Sequence, residues 1–234
     1  MTAKIYLYKL DKETILREGL GMTGRLPKCR LEKIEKLKNE DAKCQSFAAG
    51  RLLVKLLAME ESVEEDEVIQ GLDSKNHSED NRTVIISDKV IHYNISHTGK
   101  LVAVAISEDS IGIDVEEKDD KSFKVTERMF SEEDKLYVNG SQERFREIWT
   151  SKEAFLKCTG EGISVPLKSF TLDFTEEYNV GEYIRRPIKA LSYDLKGRKY
   201  YVFSKKTEIE NCSFAICSEN KNLLLDIEWV EVLL

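Results

Sequence analysis

The sequence predicts an α+β fold, and three observations carry that expectation. Strand-like and helix-like runs are mixed along the chain rather than regularly alternating. Residues 41–60 (DAKCQSFAAGRLLVKLLAME) and 141–160 (SQERFREIWTSKEAFLKCTG) each read as a long helix. Residues 101–107 (LVAVAIS) form an unbroken apolar run, as expected of a strand buried on both faces.

Taken in order, KIYLYKL (4–10) starts the chain as a strand. On the helix over 41–60, Phe47, Leu53, Val54 and Leu57 share one face. LDSKNHSEDNR (72–82) is polar and loop-like, and short strands follow in TVIIS (83–87), LVAVAIS and SIGIDVE (110–116). In SEEDKLYV (131–138), Ser131 and Asp134 make a capping-box start. The helix over 141–160 ends at Gly160 and Gly162. Strand-like runs recur in SFTLDF (169–174), KYYVF (199–203), CSFAICS (212–218) and LLLDIEWVEVLL (223–234). Helix followed by apolar strand thus occurs twice, AVAISED (103–109) faintly echoes FAICSEN (214–220), and no fixed-period repeat is present. The expected organisation is two similar α+β lobes, 1–107 and 108–234, joined near Ser107 to Ser110.

Composition bounds the function. A chain of 234 residues with 41% hydrophobic and 34% charged residues has enough material for a substantial core. No run reaches the length of a membrane span, and MTAKIYLYKLDKE has no secretory pattern, so the expected location is the cytoplasm. A formal charge of −7 argues against a general nucleic-acid binder, and an anionic ligand would need local basic groups. The five cysteines include no CxxC pair and no histidine at zinc-finger spacing, and they read as reduced packing thiols.

Three stretches carry candidate chemistry. In GIDVE (112–116), strand alternation puts Ile111, Ile113 and Val115 on one side and Gly112, Asp114 and Glu116 on the other. Two acids on one face repel unless a cation lies between them, and magnesium (Mg2+) suits carboxylate oxygens. The alternative is an exposed edge strand with solvated charges. On the second long helix, Lys152 falls inside an apolar stripe of Phe145, Ile148, Trp149 and Leu156, where a lysine needs an anion. Glu153 and Lys157 stand four apart, which fits a surface ion pair. Packed beside GIDVE, the same helix would instead supply Glu153 as a third carboxylate and Lys152 and Lys157 as charge for a phosphate. In YNISHTG (93–99), a loop would offer hydroxyl, imidazole and backbone N–H groups to a phosphate; a plain turn is the alternative. No GxSxG elbow is present.

In this order, NISHTG, GIDVE and WTSKEAFLKCTGEG resemble the signature segments of the 4′-phosphopantetheinyl transferases, of the surfactin-synthetase-activating type with two lobes in one chain. The acidic pair followed by W-x-x-K-E-A-x-x-K is the specific part, and the similarity runs from about Lys4 to the C-terminal strands. The resemblance implies two similar lobes related by pseudo-two-fold symmetry. It also implies holo-acyl-carrier-protein synthase activity: transfer of 4′-phosphopantetheine from coenzyme A to a serine of an apo acyl or peptidyl carrier protein, with release of 3′,5′-ADP. Two lobes in one chain would supply the site internally, so a monomer is expected.

By the same resemblance Asp114, Glu116 and Glu153 would bind Mg2+, and Lys157 would position and neutralise the reacting phosphates. Glu153 or a water on the metal is the candidate base. Asn94, Ser96 and His97 would form the coenzyme A loop, with Lys33 or Lys36 adding charge for the 3′-phosphate. RMFSEEDKLYV (128–138) and ISVPLKSF (163–170) correspond to parts that meet the carrier, with Met129 and Phe130 as contacts or as core. Two departures bear on coenzyme affinity. Asn81, Arg82 and Thr83 stand where the family often has Gly-Lys-Pro, with Arg82 keeping the charge, and Cys44 and Gln45 stand where a basic residue is usual, with Lys43 or Arg51 as substitutes. A magnesium-dependent phosphoester hydrolase and a non-catalytic carrier- or coenzyme-binding module remain the alternatives.

Overall fold

A computed structural model describes residues 2–19, 23–74, 82–117 and 126–231. The chain forms two compact units, Thr2–Asp109 with Leu225–Leu234, and Ser110–Leu224. In chain order the elements are β1 (Thr2–Lys9), α1 (Lys12–Thr14), α2 (Lys28–Lys36), α3 (Glu40–Glu61), α4 (Glu65–Leu72), β2 (Thr83–Ile86), β3 (Lys89–His97), β4 (Leu101–Ser107) and β5 (Ile111–Glu117). There follow α5 (Thr126–Met129), α6 (Glu132–Val138), α7 (Gln142–Thr159), β6 (Phe170–Leu172), β7 (Tyr178–Val180), β8 (Tyr183–Ala190), β9 (Tyr201–Lys205), β10 (Cys212–Ser218) and β11 (Leu224–Val230). The architecture is mixed α+β with two sheets, ordered β11-β1-β4-β3-β2 and β5-β10-β9-β8-β6. The last strand returns to the first sheet, a long-range pairing absent from the linear division at residue 107.

In the first unit, α3 opens where the Asn39 side chain accepts from the Ala42 N–H and closes at Ser62, which takes the left-handed conformation. Its buried Phe47, Leu53, Val54 and Leu57 share a core with Tyr93 and Ile95 of β3 and Val102 and Val104 of β4. All seven residues of β4 are buried, as its unbroken apolar run requires. The segment read as a loop over 93–99 belongs mostly to β3, which pairs with β4 as far as His97 opposite Val102. Only Thr98–Lys100 turns, closed by the Thr98 N–H on the Leu101 carbonyl at 2.8 Å. Polar side chains concealed this strand because cross-strand pairing depends on the backbone and tolerates Asn94 and Ser96.

In the second unit, α6 begins with a reciprocal capping box between Ser131 and Asp134. Ser141 caps α7, which stops at Gly160, whose φ is 73°. Phe145, Ile148, Phe155 and Leu156 of α7 join Leu172, Val202, Ala215 and Cys217 of the sheet in one core. Each of the larger ones, the Phe, Ile, Leu and Val side chains, contributes roughly 1.5–3 kcal/mol by leaving water. At Gly112 the helix backbone comes close: a Cβ there would lie 1.9 Å from the Ala154 carbonyl oxygen. The absent side chain lets the α7 backbone rest on β5. No disulfide joins the five cysteines, and among the described residues no helix is long and apolar enough to cross a membrane.

Candidate functional site

The acids of GIDVE lie beneath α7. Asp114 stands opposite Ala215 and Glu116 opposite Ser213 in the β5–β10 ladder, so both project to the face that α7 covers. Although β5 is the edge of its sheet, Asp114 is buried, because the helix covers what an edge strand would otherwise expose. Trp149, Glu153 and Lys157 recur every four residues and form one stripe of α7. Its two ends meet the acids: the Trp149 indole Nε1–H donates to Glu116 Oε1 at 2.8 Å, and Lys157 Nζ lies 2.6 Å from Asp114 Oδ1. Lys157 therefore bridges helix and strand through its ion pair with Asp114.

Electrostatics strain this group. Burial, then repulsion from Asp114, pushes the Glu116 carboxyl up from its ordinary 4.5 to about 7, against the pull of the Trp149 N–H and of Lys157. Burial and Asp114 likewise raise Glu153, and Lys157 opposes the rise. Several carboxylates thus compete for one ammonium. An all-oxygen carboxylate set that resists ionising is what a hard divalent cation would relieve, so the donor chemistry fits Mg2+. Among the described residues no three such side chains already form a metal-ligand cluster. In this arrangement Lys157 supplies the positive charge at Asp114. A cavity of about 420 Å³ in the same unit is lined by Arg144, Lys205, Lys206 and Ser213 among others, and Ser213 is the cross-strand partner of Glu116.

Lys152 does not join this group. It is wholly buried, 2.6 Å from the equally buried Asp134, and donates to the carbonyls of Leu167 at 2.7 Å and Phe170 at 2.5 Å. The anion it was expected to need is a core aspartate, not a phosphate. Phe130 is core too, stacked on Phe145 at 5.2 Å, whereas Met129 is exposed.

The other expected ligand residues belong to the first unit. Asn94 and Ser96 are buried on one face of β3, and alternation sends half-buried His97 to the other. Arg82 has a left-handed backbone, with φ 47°, and its carbonyl accepts from the Tyr93 N–H at 2.8 Å. Lys33 and Lys36 are exposed, one turn apart in the last turn of α2. Of the substitutes in α3, Arg51 is buried and paired with Glu65 at 2.7 Å, while Lys43 is half-buried. Asn81 lies outside the described residues.

Sequence reasoning missed two functional contacts, that of Trp149 with Glu116 and that of Gly112 with α7. A signal for the first existed, since Trp149 precedes Glu153 by four residues and so shares its helix face.

The four residues Asp114, Glu116, Glu153 and Lys157 all fall inside a segment with a family match. Residues 110–209 match the 4′-phosphopantetheinyl transferase superfamily. Similar proteins include the 4′-phosphopantetheinyl transferase gsp of Aneurinibacillus migulanus, 35% identical over 95 residues, covering 38% of this chain and 40% of that protein. The 4′-phosphopantetheinyl transferase psf-1 of Bacillus pumilus is 40% identical over 91 residues, covering 37% and 39%. The 4′-phosphopantetheinyl transferase Sfp of Bacillus subtilis (strain 168) is 36% identical over 94 residues, covering 38% and 42%. The chain thus spans about two fifths of the length of the curated relatives it matches. Lys33, Lys36, Arg82, Asn94, Ser96 and His97 lie outside the residues that match the superfamily.

Proposed function

We propose that this protein is a 4′-phosphopantetheinyl transferase, moving phosphopantetheine from coenzyme A to a serine of an apo acyl or peptidyl carrier protein and releasing 3′,5′-ADP. The observation that carries this reading is the gathering of Asp114, Glu116 and the α7 stripe of Trp149, Glu153 and Lys157 within the segment that matches the superfamily.

Asp114, Glu116 and Glu153 would hold Mg2+. When bound, it would neutralise charge on the coenzyme pyrophosphate and on the transferring phosphoryl oxygens. Lys157, paired with Asp114, would bring a positive charge to the same oxygens. The carrier serine oxygen forms a bond to the β-phosphorus while the bond from that phosphorus to 3′,5′-ADP breaks. The serine proton goes to Glu153 or to a water in the site, the two candidate bases.

We assign Asn94, Ser96 and His97, with Arg82, Lys33 and Lys36, to coenzyme A. Lys33 and Lys36 support this by bringing two positive charges to one end of α2. Each unit sets one long helix, α3 or α7, against a sheet, which supports the reading of two similar lobes. The enzyme would act as a monomer in the cytoplasm.

Asp114→Ala and Glu153→Ala test the assignment. Both should retain the circular dichroism of the wild type and lose transfer to an apo carrier by at least about 100-fold, because each removes charge stabilisation at the reacting phosphate. Near-wild-type transfer by either folded variant would remove that acid from the site.

A further inference from the structure

We infer that Trp149 is a positioning residue for Glu116 and sets how tightly the site takes Mg2+. This inference rests on the reading of Asp114, Glu116 and Glu153 as the cation-binding acids. A glutamate side chain has three rotatable bonds and loses that freedom when it binds an ion. Here one of its oxygens, Oε1, already accepts the Trp149 indole N–H at 2.8 Å, which leaves Oε2 for a cation.

The donor is itself fixed. The Trp149 ring lies 6.4 Å from Phe130 and 6.1 Å from Phe145, and those two rings stack at 5.2 Å. Phe130 and Phe145 are both buried, so the aromatic cluster fixes where the N–H points. Trp149 stands one turn before Glu153 on α7 while its N–H reaches Glu116 on β5. One indole thereby ties a β5 acid to the helix that carries the third acid. Removing a hydrogen bond of this kind from a ligand side chain typically costs about 10- to 100-fold in metal affinity or activity.

Trp149→Phe keeps most of the ring packing and removes only the N–H. The expected result is a Mg2+ requirement for carrier modification that rises about 10- to 100-fold, with kcat at saturating Mg2+ within about threefold of the wild type. A merely structural role would lower the melting temperature and leave the Mg2+ requirement unchanged. A second readout needs neither turnover nor a variant at this position. The chain has two tryptophans, so a ¹⁵N-indole spectrum shows two N–H signals, assigned with Trp229→Phe. On adding Mg2+ without coenzyme A, the Trp149 signal should move and the Trp229 signal should stay. Mg2+-dependent transfer by the wild type, with no movement of the Trp149 signal and an unaltered Mg2+ requirement in Trp149→Phe, overturns this inference alone. No effect of Mg2+ on either transfer or spectrum overturns the underlying assignment of the acids, and this inference with it.

Discussion

Lys152→Met should cost the second unit its stability rather than its chemistry. The ammonium is fully buried and meets Asp134 Oδ2 at 2.6 Å and the carbonyls of Leu167 and Phe170 at 2.7 and 2.5 Å, over the Phe170 ring at 4.7 Å. Desolvation pulls its pKa down, but Asp134 opposes that, and three oxygens satisfy all three ammonium donors. Methionine keeps the aliphatic stem and removes the charge. Breaking a buried pair at one end costs about 3–5 kcal/mol, and two orphaned carbonyls add to it. Asp134 keeps bonds from Ser131 N–H at 2.9 Å, Ser131 Oγ at 2.7 Å and Thr171 Oγ1 at 2.5 Å, which limits the loss. The net expectation is about 4 kcal/mol, or roughly 8–16 °C in melting temperature for a chain of this size. Urea unfolding followed by tryptophan fluorescence suits the measurement, since Phe130 touches both Lys152 and Trp149. A loss under about 1 kcal/mol together with abolished transfer would refute the reasoning and put Lys152 at a phosphate.

Three further outcomes follow from the same contacts. Gly112→Ala forces a Cβ to within 1.9 Å of the Ala154 oxygen and 2.5 Å of the Cys158 nitrogen. Urea unfolding should show a loss of about 3 kcal/mol or more, while an unchanged midpoint would mean that α7 is not seated on β5. Glu116→Gln, measured in EDTA, gives a pH signature. The folded carboxyl, raised from 4.5 to about 7, holds its proton where the unfolded chain has already lost it, so wild-type stability falls as pH rises from 4.5 through 7. The glutamine variant should therefore gain about 2–3 kcal/mol on the wild type at pH 8 and nothing below pH ~4, by denaturant titration across that range, and an equal offset at all pH values would contradict the electrostatic account. Phe130→Ala should lower stability by about 3–5 kcal/mol while leaving the KM for the carrier within twofold, because the ring is core; a large KM change in a stable variant would return it to the carrier surface.

What the sequence made legible was local. The α7 stripe, the Ser131–Asp134 capping box, the Gly160 stop and the alternation of GIDVE are set by residues within a few positions of one another. The spacing of Asp114 and Glu116 within β5, and of Glu153 and Lys157 within α7, was legible in the same way, but the packing that brings Lys157 to Asp114 was not. What stayed hidden was long-range or carried by the backbone. Asp134 and Lys152 come from different helices, and no spacing rule names one as the other's partner. β3 was obscured by Asn94, Ser96 and His97, and β8 by Arg185, Arg186 and Pro187. In β8, Arg186 is buried only because Glu147 at 2.5 Å and Glu177 at 2.7 Å neutralise it from outside the strand.

The central claim is tested most directly by intact-mass spectrometry of a small panel of apo carrier proteins incubated with this protein, coenzyme A and Mg2+, alongside EDTA and Asp114→Ala controls. The account predicts a gain of one phosphopantetheine on the carrier serine, absent in both controls. A gain that persists in EDTA or in Asp114→Ala, or no gain on any carrier despite measurable binding of coenzyme A, would contradict it.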